Sequence, residues 1–523
     1  MLWIGLHLPR LSLESFAAGL PPQAASEPLA LLDKHLIVSA NAPAQALGVK
    51  PGLKRATALA LAPQLRLGQA DALRDAQALT SVAHAALAFT PMVVQPPADP
   101  YGQNRHHVLL EVQASLRYFA GRERLLQRLG EALAPLGHRV CVASAPTAQG
   151  AAVLACLAKA RQPLHCADLP ALHQALAQAP VWLLGPGREH WDALQGMGLR
   201  TLSDLRPLPR AGLARRFGPE LLDEIDRAFG DKPDPRLPIT LPPVFESRLE
   251  LFARADTTEQ VLHGAGVLLA RLVAWAAAQH ARVRSFRLLM QHEPRHRQRD
   301  GEERVPDHST LEIALAEPSC DAAHLLVLLT ERLAHVQLAA PSLELRLHCD
   351  DISRGAAPNG ELFPSAKSER EGLTRLIERL QARLGREQVQ RLVLTEDHRP
   401  ERTCTTQPVD AANPQAAIRR SVALDPDAVS RAVAMSAVRP AWLLPHPQAL
   451  HERQHLPLLD GVPLLILSGP ERIESGWWDG DPIARDYFIA QQSDGALVWI
   501  FRGRLPLADD GPTPGWFLQG RFG

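Results

Sequence analysis

The chain has 523 residues, 46% of them hydrophobic and 21% charged, and its 56 basic side chains are matched by 56 acidic ones. This composition excludes a chiefly disordered chain and, at roughly 150 residues per domain, predicts three or four domains. Zero net charge excludes a uniformly basic nucleic-acid binder, so any phosphate-binding surface must be local.

The N-terminal run MLWIGLHLPRLSLESF lacks a basic leader and a small-residue cleavage site, which predicts no signal peptide. No stretch approaches about 18 consecutive apolar residues, which predicts no membrane span. Six scattered cysteines without a CxxC pair predict a cytoplasmic protein with neither disulfides nor a metal site.

Met1 to Leu8, Val108 to Val112 and Arg139 to Ala145 are short apolar runs that predict buried strands. A helical pattern over Leu125 to Leu136 falls between them, so residues 1–168 form a predicted α+β domain. Residues 169–232 predict short helices joined by turns. The segment DKPDPRLP from Asp231, with Pro242 and Pro243, makes 233–244 an extended linker.

In 245–352 a long helix from Thr257 to about His280 is predicted, then alternating strands at Arg282 to Met290 and Leu343 to His348. A helix over Asp321 to Leu333 lies between those strands. A loop, 353–367, leads into a helix within 368–396, with a capping box at Ser368 and Glu371. Its apolar stripe is Leu373, Leu376, Ile377, Leu380 and Leu384. Residues 397–470, rich in Pro, Ala and His, show no assignable pattern and read as a linker. In 471–523, Ser493, Asp494 and Gly495 between two alternating runs predict a hairpin, hence a partly β module.

Only six of the 56 basic residues are lysine. An arginine bias suits phosphate contacts, and it is also what a GC-rich genome produces. The clearest local signal is VWLLGPGREHWDAL from Val181, the spacing of a helix–hairpin–helix. Gly185 and Gly187 would allow a tight turn whose N–H groups face outward at a helix start, where a DNA phosphate sits beside Arg188. Arg200, Arg206, Arg210, Arg215 and Arg216 crowd the residues that follow.

The strings GLRTLSDL and RRFG in this region resemble the thumb of Y-family (DinB/UmuC-like) translesion DNA polymerases, and the resemblance extends over about residues 1–352. The run VSANAPAQALGVKPGL from Val38 resembles the fingers motif of that family. With the C-terminal tail included, the chain resembles the family's catalytically inactive accessory branch, found in bacterial mutagenesis cassettes. The implied architecture is a multidomain α+β right hand with a C-terminal tail module. It comprises palm and fingers (1–168), a helical thumb with helix–hairpin–helix (169–232), a little finger (245–352) and a Trp-rich docking module (471–523).

Polymerases of this family hold two divalent metals on one Asp in the first strand and an Asp-Glu pair in the palm hairpin. By the resemblance, Gly5 falls at the first Asp, with His7 two positions later, and His106 and His107 fall at the pair. Glu14 and Glu111 match acidic residues that hold no metal, and sliding the alignment to Asp99 recovers one carboxylate. The residues that would clamp a triphosphate correspond to Ala42, Gln45 and Ala148. Adjacent strand residues point to opposite faces, so His106 and His107 would not chelate one ion together. The expectation is therefore no metal, no cofactor and no nucleotidyl transfer; the alternative is an active polymerase with displaced ligands.

The strand RVRSFR from Arg282 reads as edge-like, and the resemblance of 245–352 to the family's little finger implies that this domain lies along a DNA backbone. Arg282 and Arg284 would share one face and Arg287 the other if the strand is regular, with Arg295, Arg297 and Arg299 continuing the run. The segment PNGELFP from Pro358 resembles the bacterial sliding-clamp-binding peptide. Leu362 and Phe363 would be its anchors, and Asn359 stands where that peptide has Gln. In the tail, Trp477, Trp478, Arg485, Tyr487, Trp499 and Trp516 suit a protein interface, with part of the set serving a core.

The resemblance implies a scaffold that binds damaged or primer–template DNA and the β sliding clamp. Its implied partners are the RecA-like accessory protein ImuA and ImuC, an error-prone DnaE-type polymerase, in damage-induced (SOS) mutagenic translesion synthesis at the nucleoid.

Overall fold

The computed structural model describes residues 1–21, 26–96, 106–160, 162–293, 306–354, 366–395, 397–409, 439–440, 442–504 and 515–522. The chain divides into two compact units, Met1–Phe363 and Pro364–Gly523.

The first unit opens with β1 (Trp3–His7) and α1 (Leu11–Ala17), then β2 (Leu29–Asp33), β3 (Leu36–Ala40), α2 (Ala42–Ala46), α3 (Arg55–Leu61) and β4 (Arg66–Gln69). These lead to α4 (Ala72–Leu87), β5 (Val93–Val94), β6 (His107–Glu111), α5 (Arg122–Leu133), β7 (Cys141–Ala145), α6 (Ala148–Leu157) and β8 (Leu164–His165). Strands β5-β6-β1-β7-β8 form one sheet, in which β1 pairs antiparallel with both β6 and β7. The three apolar runs thus become the centre of a sheet.

Ile4, Leu6, Val108 and Leu110 face α4 and α5, while Trp3, Leu109, Ala143 and Ala145 face α6. Each fully buried Ile or Leu contributes about 1.5–3 kcal/mol. Small residues on the second face let α6 lie close. Its start is fixed by Thr147, whose hydroxyl accepts from the Gly150 N–H and donates to the Ala228 carbonyl. A separate sheet, β3-β2-β4, packs on α2 and α3 through Ala30, Leu32, Ile37 and Ala44. Asn41 caps α2, accepting from Ala44 N and Leu29 N at 3.0 Å each.

A helical region follows: α7 (Leu169–Ala177), a 3₁₀ turn (Val181–Leu183), α8 (Gly185–Glu189), α9 (Trp191–Gly196), α10 (Leu202–Leu205), α11 (Arg210–Phe217) and α12 (Pro219–Phe229). Then come β9 (Phe245–Ala255), α13 (Thr258–Ala278), β10 (Ala281–His292), β11 (His308–Ser319), α14 (Ala322–Leu333) and β12 (Ser342–Arg354). The sheet order is β11-β10-β12-β9. One sheet face packs under the helices and the other is open, the arrangement that alternating antiparallel strands specify.

Two expectations for this sheet are corrected. Strand β10 is not an edge, because it is hydrogen-bonded to β11 on one side and β12 on the other. Nor is it regular: its pairing with β12 shifts between Val283 and Ser285 and again between Ser285 and Arg287. The buried positions therefore run Val283, Phe286, Leu288, Met290, and the phase change turns Arg287 to the same outer face as Arg282 and Arg284.

Helix α13 is long and apolar enough to cross a membrane by length and composition. In this unit it is a core helix, with Leu268, Leu272 and Trp275 buried. Its buried Arg271 donates to Ser247 Oγ and the Arg248 carbonyl at 3.1 and 3.2 Å. The capping box Thr257/Gln260 starts it where the sequence predicts.

The second unit holds α15 (Ala366–Leu384), β13 (Gln390–Leu394), β14 (Cys404–Pro408), β15 (Trp442–Arg453), β16 (Leu456–Leu459), β17 (Val462–Pro463), β18 (Leu465–Ser475), β19 (Ile483–Gln491), β20 (Leu497–Gly503) and β21 (Trp516–Arg521). Helix α15 begins at Ala366, so Ser368 lies inside it rather than at its cap. Strands β13 and β14 pair with each other, and β17-β16-β15-β21-β20-β19-β18 make a seven-stranded sheet. The predicted hairpin joins β19 and β20. The sheet also draws in β15 to β17, from Trp442 to Pro463, residues that carry no clear strand pattern because most of their side chains are exposed.

Candidate functional site

His7 and His107 stand directly opposite each other across the β1–β6 ladder, their rings stacked with centroids 4.8 Å apart. Helix α6 crosses the same face and brings Cys156 Sγ to 3.1 Å from His107 Nε2. The three candidate ligand atoms all lie within 4.8 Å of one another. The expectation of no metal weighed His106 with His107 and overlooked His7 and Cys156.

His106 sits on the other side. Its Nε2 is 3.3 Å from Ser12 Oγ and 3.9 Å from Asp75, and the Ser12 hydroxyl donates to the Asp75 carboxylate. Burial, helped by His7 and His138, holds His106 down at about 4, so it is neutral. Burial also pushes the Asp75 carboxyl up, against the Ser12 hydrogen bond.

At Gly5 the backbone of α6 lies on the strand. A β-carbon there would be 2.4 Å from the Ala151 carbonyl oxygen and 2.7 Å from its carbon. A pair of hard divalent cations wants oxygen ligands at fixed distances. Imidazoles, a thiol, a glycine without space and a carboxyl already engaged by Ser12 do not fit such a pair. Glu111 is occupied elsewhere, accepting from the N–H groups of Leu2 and Gln113. Glu14 accepts from Arg139 N. Asp99 lies outside the described residues. At the triphosphate-facing positions Ala42 is the first residue of α2, Gln45 donates its amide to the Ala40 carbonyl, and Ala148 is buried at the start of α6.

The two glycines of the predicted hairpin play a different part from the one expected. Gly185 and Gly187 lie within α8 and are buried. A β-carbon at Gly187 would sit 2.2 Å from the Val181 carbonyl oxygen, so the glycine permits close packing of α8 on the 3₁₀ turn. The Gly185 N–H donates to Glu224 Oε2 at 3.1 Å, so a carboxylate occupies the donor that a phosphate was expected to take. Arg188 lies over the Trp182 ring. Arg206 and Arg210 are tied to Asp231 and Asp226, whereas Arg215 and Arg216 are exposed at the end of α11.

On the four-stranded sheet, Arg284 and Arg287 are exposed and Arg282 is partly so. Arg287 reaches Asp350 Oδ2 at 3.2 Å and His348 at 3.3 Å. Arg346, on the adjacent strand, pairs with Glu344. The face therefore mixes arginines with carboxylates that partly offset them. Arg295, Arg297 and Arg299 lie outside the described residues, as do Asn359, Leu362 and Phe363.

The tail aromatics separate into two sets. Trp477 and Trp478 are 79% and 54% exposed and meet edge to face. Tyr487, Trp499, Trp516 and Arg485 are buried, which corrects their expected role as contact residues. Tyr487 stacks on Trp499, and Arg485 bonds the Tyr487 hydroxyl and Glu401. Tyr487 on β19 and Trp499 on β20 pack in one core cluster with Phe501 and Phe517, and Trp516 on β21 packs in another with Val498, Ile500 and Leu518.

His7 and Cys156 were missed because their relation is tertiary. One signal was present: His7 lies in the first predicted strand and His107 directly precedes the second.

No family model matches the chain. Two curated proteins named Protein ImuB, from Caulobacter vibrioides strains NA1000 / CB15N and ATCC 19089 / CIP 103742 / CB 15, are each 29% identical over 501 residues. Each match spans 91% of this chain and the whole of the relative. Among solved structures, a Dbh ternary complex and an insertion ternary complex of Dbh DNA polymerase match at 15% identity, with TM-scores of 0.37 and 0.38. DinB from Sulfolobus solfataricus matches at 15% identity with a TM-score of 0.36. Each of the three covers 68% of this chain and is itself covered in full. Over nearly its whole length the chain is ImuB-like.

Proposed function

We propose that the chain is a non-catalytic, Y-family-like accessory protein that binds DNA and brings an error-prone DnaE-type polymerase to it. The observation that carries this reading is at β1. The position expected to hold a metal-binding Asp is a glycine pressed against the α6 backbone, and its neighbours offer nitrogen and sulfur where phosphoryl transfer needs oxygen. The ImuB likeness along the chain supports it.

DNA would be held through backbone phosphates by Arg282, Arg284 and Arg287 on the sheet face and by Arg215, Arg216 and Arg188 in the helical region. Such contacts are indifferent to sequence and sensitive to salt. Leu362 and Phe363 would anchor a β sliding clamp, with Asn359 as the polar contact. Trp477 and Trp478 would meet ImuA or ImuC. The place of action would be the cytoplasm, at the nucleoid.

The test is primer extension by the purified chain with magnesium and nucleotides, run beside anisotropy binding to the same primer–template. The expected result is binding without extension. Extension that vanishes on chelation would establish the polymerase alternative instead. Replacing Leu362 and Phe363 by Ala should abolish clamp capture; unchanged capture would remove that segment from the account.

A further inference from the structure

We infer that His7, His107 and Cys156 form a zinc site on the α6 face of the central sheet. The inference stands apart from DNA binding and from the proposed scaffold role, since it rests on three side chains and the elements that hold them.

The donors come from three rigid elements. His7 and His107 are cross-strand partners, the relationship that brings two side chains closest in a sheet. Cys156 descends from α6, which is fixed on β1 by the Gly5–Ala151 contact and at its start by Thr147. In a tetrahedral zinc site with Zn–N of about 2.0 Å and Zn–S of about 2.3 Å, neighbouring donor atoms stand about 3.5 Å apart. The His107 Nε2 to Cys156 Sγ distance is 3.1 Å, and no pair in the group exceeds 4.8 Å. Closing the widest pair asks for a movement of about 1 Å, within reach of small χ rotations. His107 is buried, while His7 and Cys156 are partly accessible; with three protein ligands the fourth position of a tetrahedral zinc would go to water.

Donor chemistry selects the metal. Thiolate with two imidazoles favours zinc over magnesium or calcium, which take oxygen ligands. Binding replaces the thiol proton, so affinity rises with pH. A bound ion would tie β1, β6 and α6 together. Cys141 stands opposite His7 on the other neighbouring strand but is outside the converging group, so three protein ligands are assigned.

The experiment uses the full chain, stripped with a chelator and titrated with zinc against a chromophoric competitor. Cobalt is then substituted as a spectroscopic probe. One equivalent of zinc and a thiolate-to-cobalt charge-transfer band are expected. Cys156→Ser should abolish the band. His7→Asn should weaken zinc binding by more than about 100-fold, beyond the loss that outer-shell changes cause. Cys404→Ser, altering an exposed cysteine, should change neither. His107→Asn is read only if its circular dichroism matches the parent, because that residue is buried. Absence of zinc binding, or binding that Cys156→Ser and His7→Asn leave unchanged, would overturn the assignment.

Discussion

Arg399 grips Asp479 with two prongs, Nη2 to Oδ2 at 2.5 Å and Nη1 to Oδ1 at 3.1 Å, across 80 residues of sequence. The same guanidinium also binds Asp397 and donates to the Asp481 carbonyl, and it lies over the Trp478 ring. The fork pins the segment before β14 to the turn between β18 and β19, and Arg399 holds the Asp479 carboxyl down at about 2. Arg399→Ala should lower the melting temperature of the second unit by several degrees. Arg399→Lys should not restore it, because an ammonium cannot form the planar fork. Calorimetry reads both, and an unchanged melt for either variant would remove the fork from the account.

Gly5 makes a second prediction. Gly5→Ala places a β-carbon into the Ala151 carbonyl and should destabilise by about 1–3 kcal/mol, with Gly5→Asp costing more. Urea unfolding measures both. Gly5→Asp should also fail to restore primer extension, since the carboxylate would be driven into α6 instead of presented to a metal. Extension by that variant would show that the strand tolerates a ligand there.

Much of this was legible in the chain. Buried strands declared themselves by continuous apolar runs, and the apolar pattern from Thr257 announced α13. What escaped was tertiary. The alternation RVRSFR reads as a regular strand, and only the paired register shifts against β12 reveal that Arg287 joins Arg282 and Arg284. The glycines around Pro186 suggest a turn open to phosphate, but Glu224, 39 residues away from Gly185, supplies the partner for its N–H. In the tail, composition marks aromatics without marking which way they face. Strand phase buries Tyr487 and Trp499, whereas Trp477 and Trp478 stand outside on the turn between β18 and β19.

The shared outer face of the three arginines gives a quantitative prediction. Replacing Arg282, Arg284 and Arg287 together by Ala should weaken DNA binding uniformly across sequences. The slope of log K against log salt should fall by up to about 3. Arg287 is already paired with Asp350, so Asp350→Asn should release it and tighten binding at low salt. Anisotropy titrations over a salt series decide this; a slope unchanged in the triple variant would move the phosphate contacts elsewhere.

Exposure separates the roles of the tryptophans. Trp477→Ala with Trp478→Ala should leave the melt of the second unit nearly unchanged and abolish capture of the polymerase partner, since exposed rings contribute to contact and little to core. Trp499→Ala removes a buried ring stacked on Tyr487 and should cost about 3–5 kcal/mol. Loss of capture only in the destabilised variant would assign docking to the sheet rather than to the exposed pair.

Acid should loosen the first unit through its buried histidines. His106 and His84 are each held at about 4, from an ordinary 6.5, chiefly by burial. Between those values the unfolded chain takes up the protons first, so it binds more protons than the folded one and stability falls as pH falls. Their contribution is complete above the ordinary value and lost progressively down to about 4, at most about 3 kcal/mol for each histidine. Asp75 works in the opposite sense: its raised carboxyl takes a proton in the folded state before the unfolded one, which returns part of the loss toward the acid end. Urea unfolding on either side of the window should show the decline, and His106→Gln should flatten it. A stability profile that stays level across the window in the parent chain would mean that His106 is solvated and charged, and that the Ser12–Asp75–His106 contact is not closed in solution.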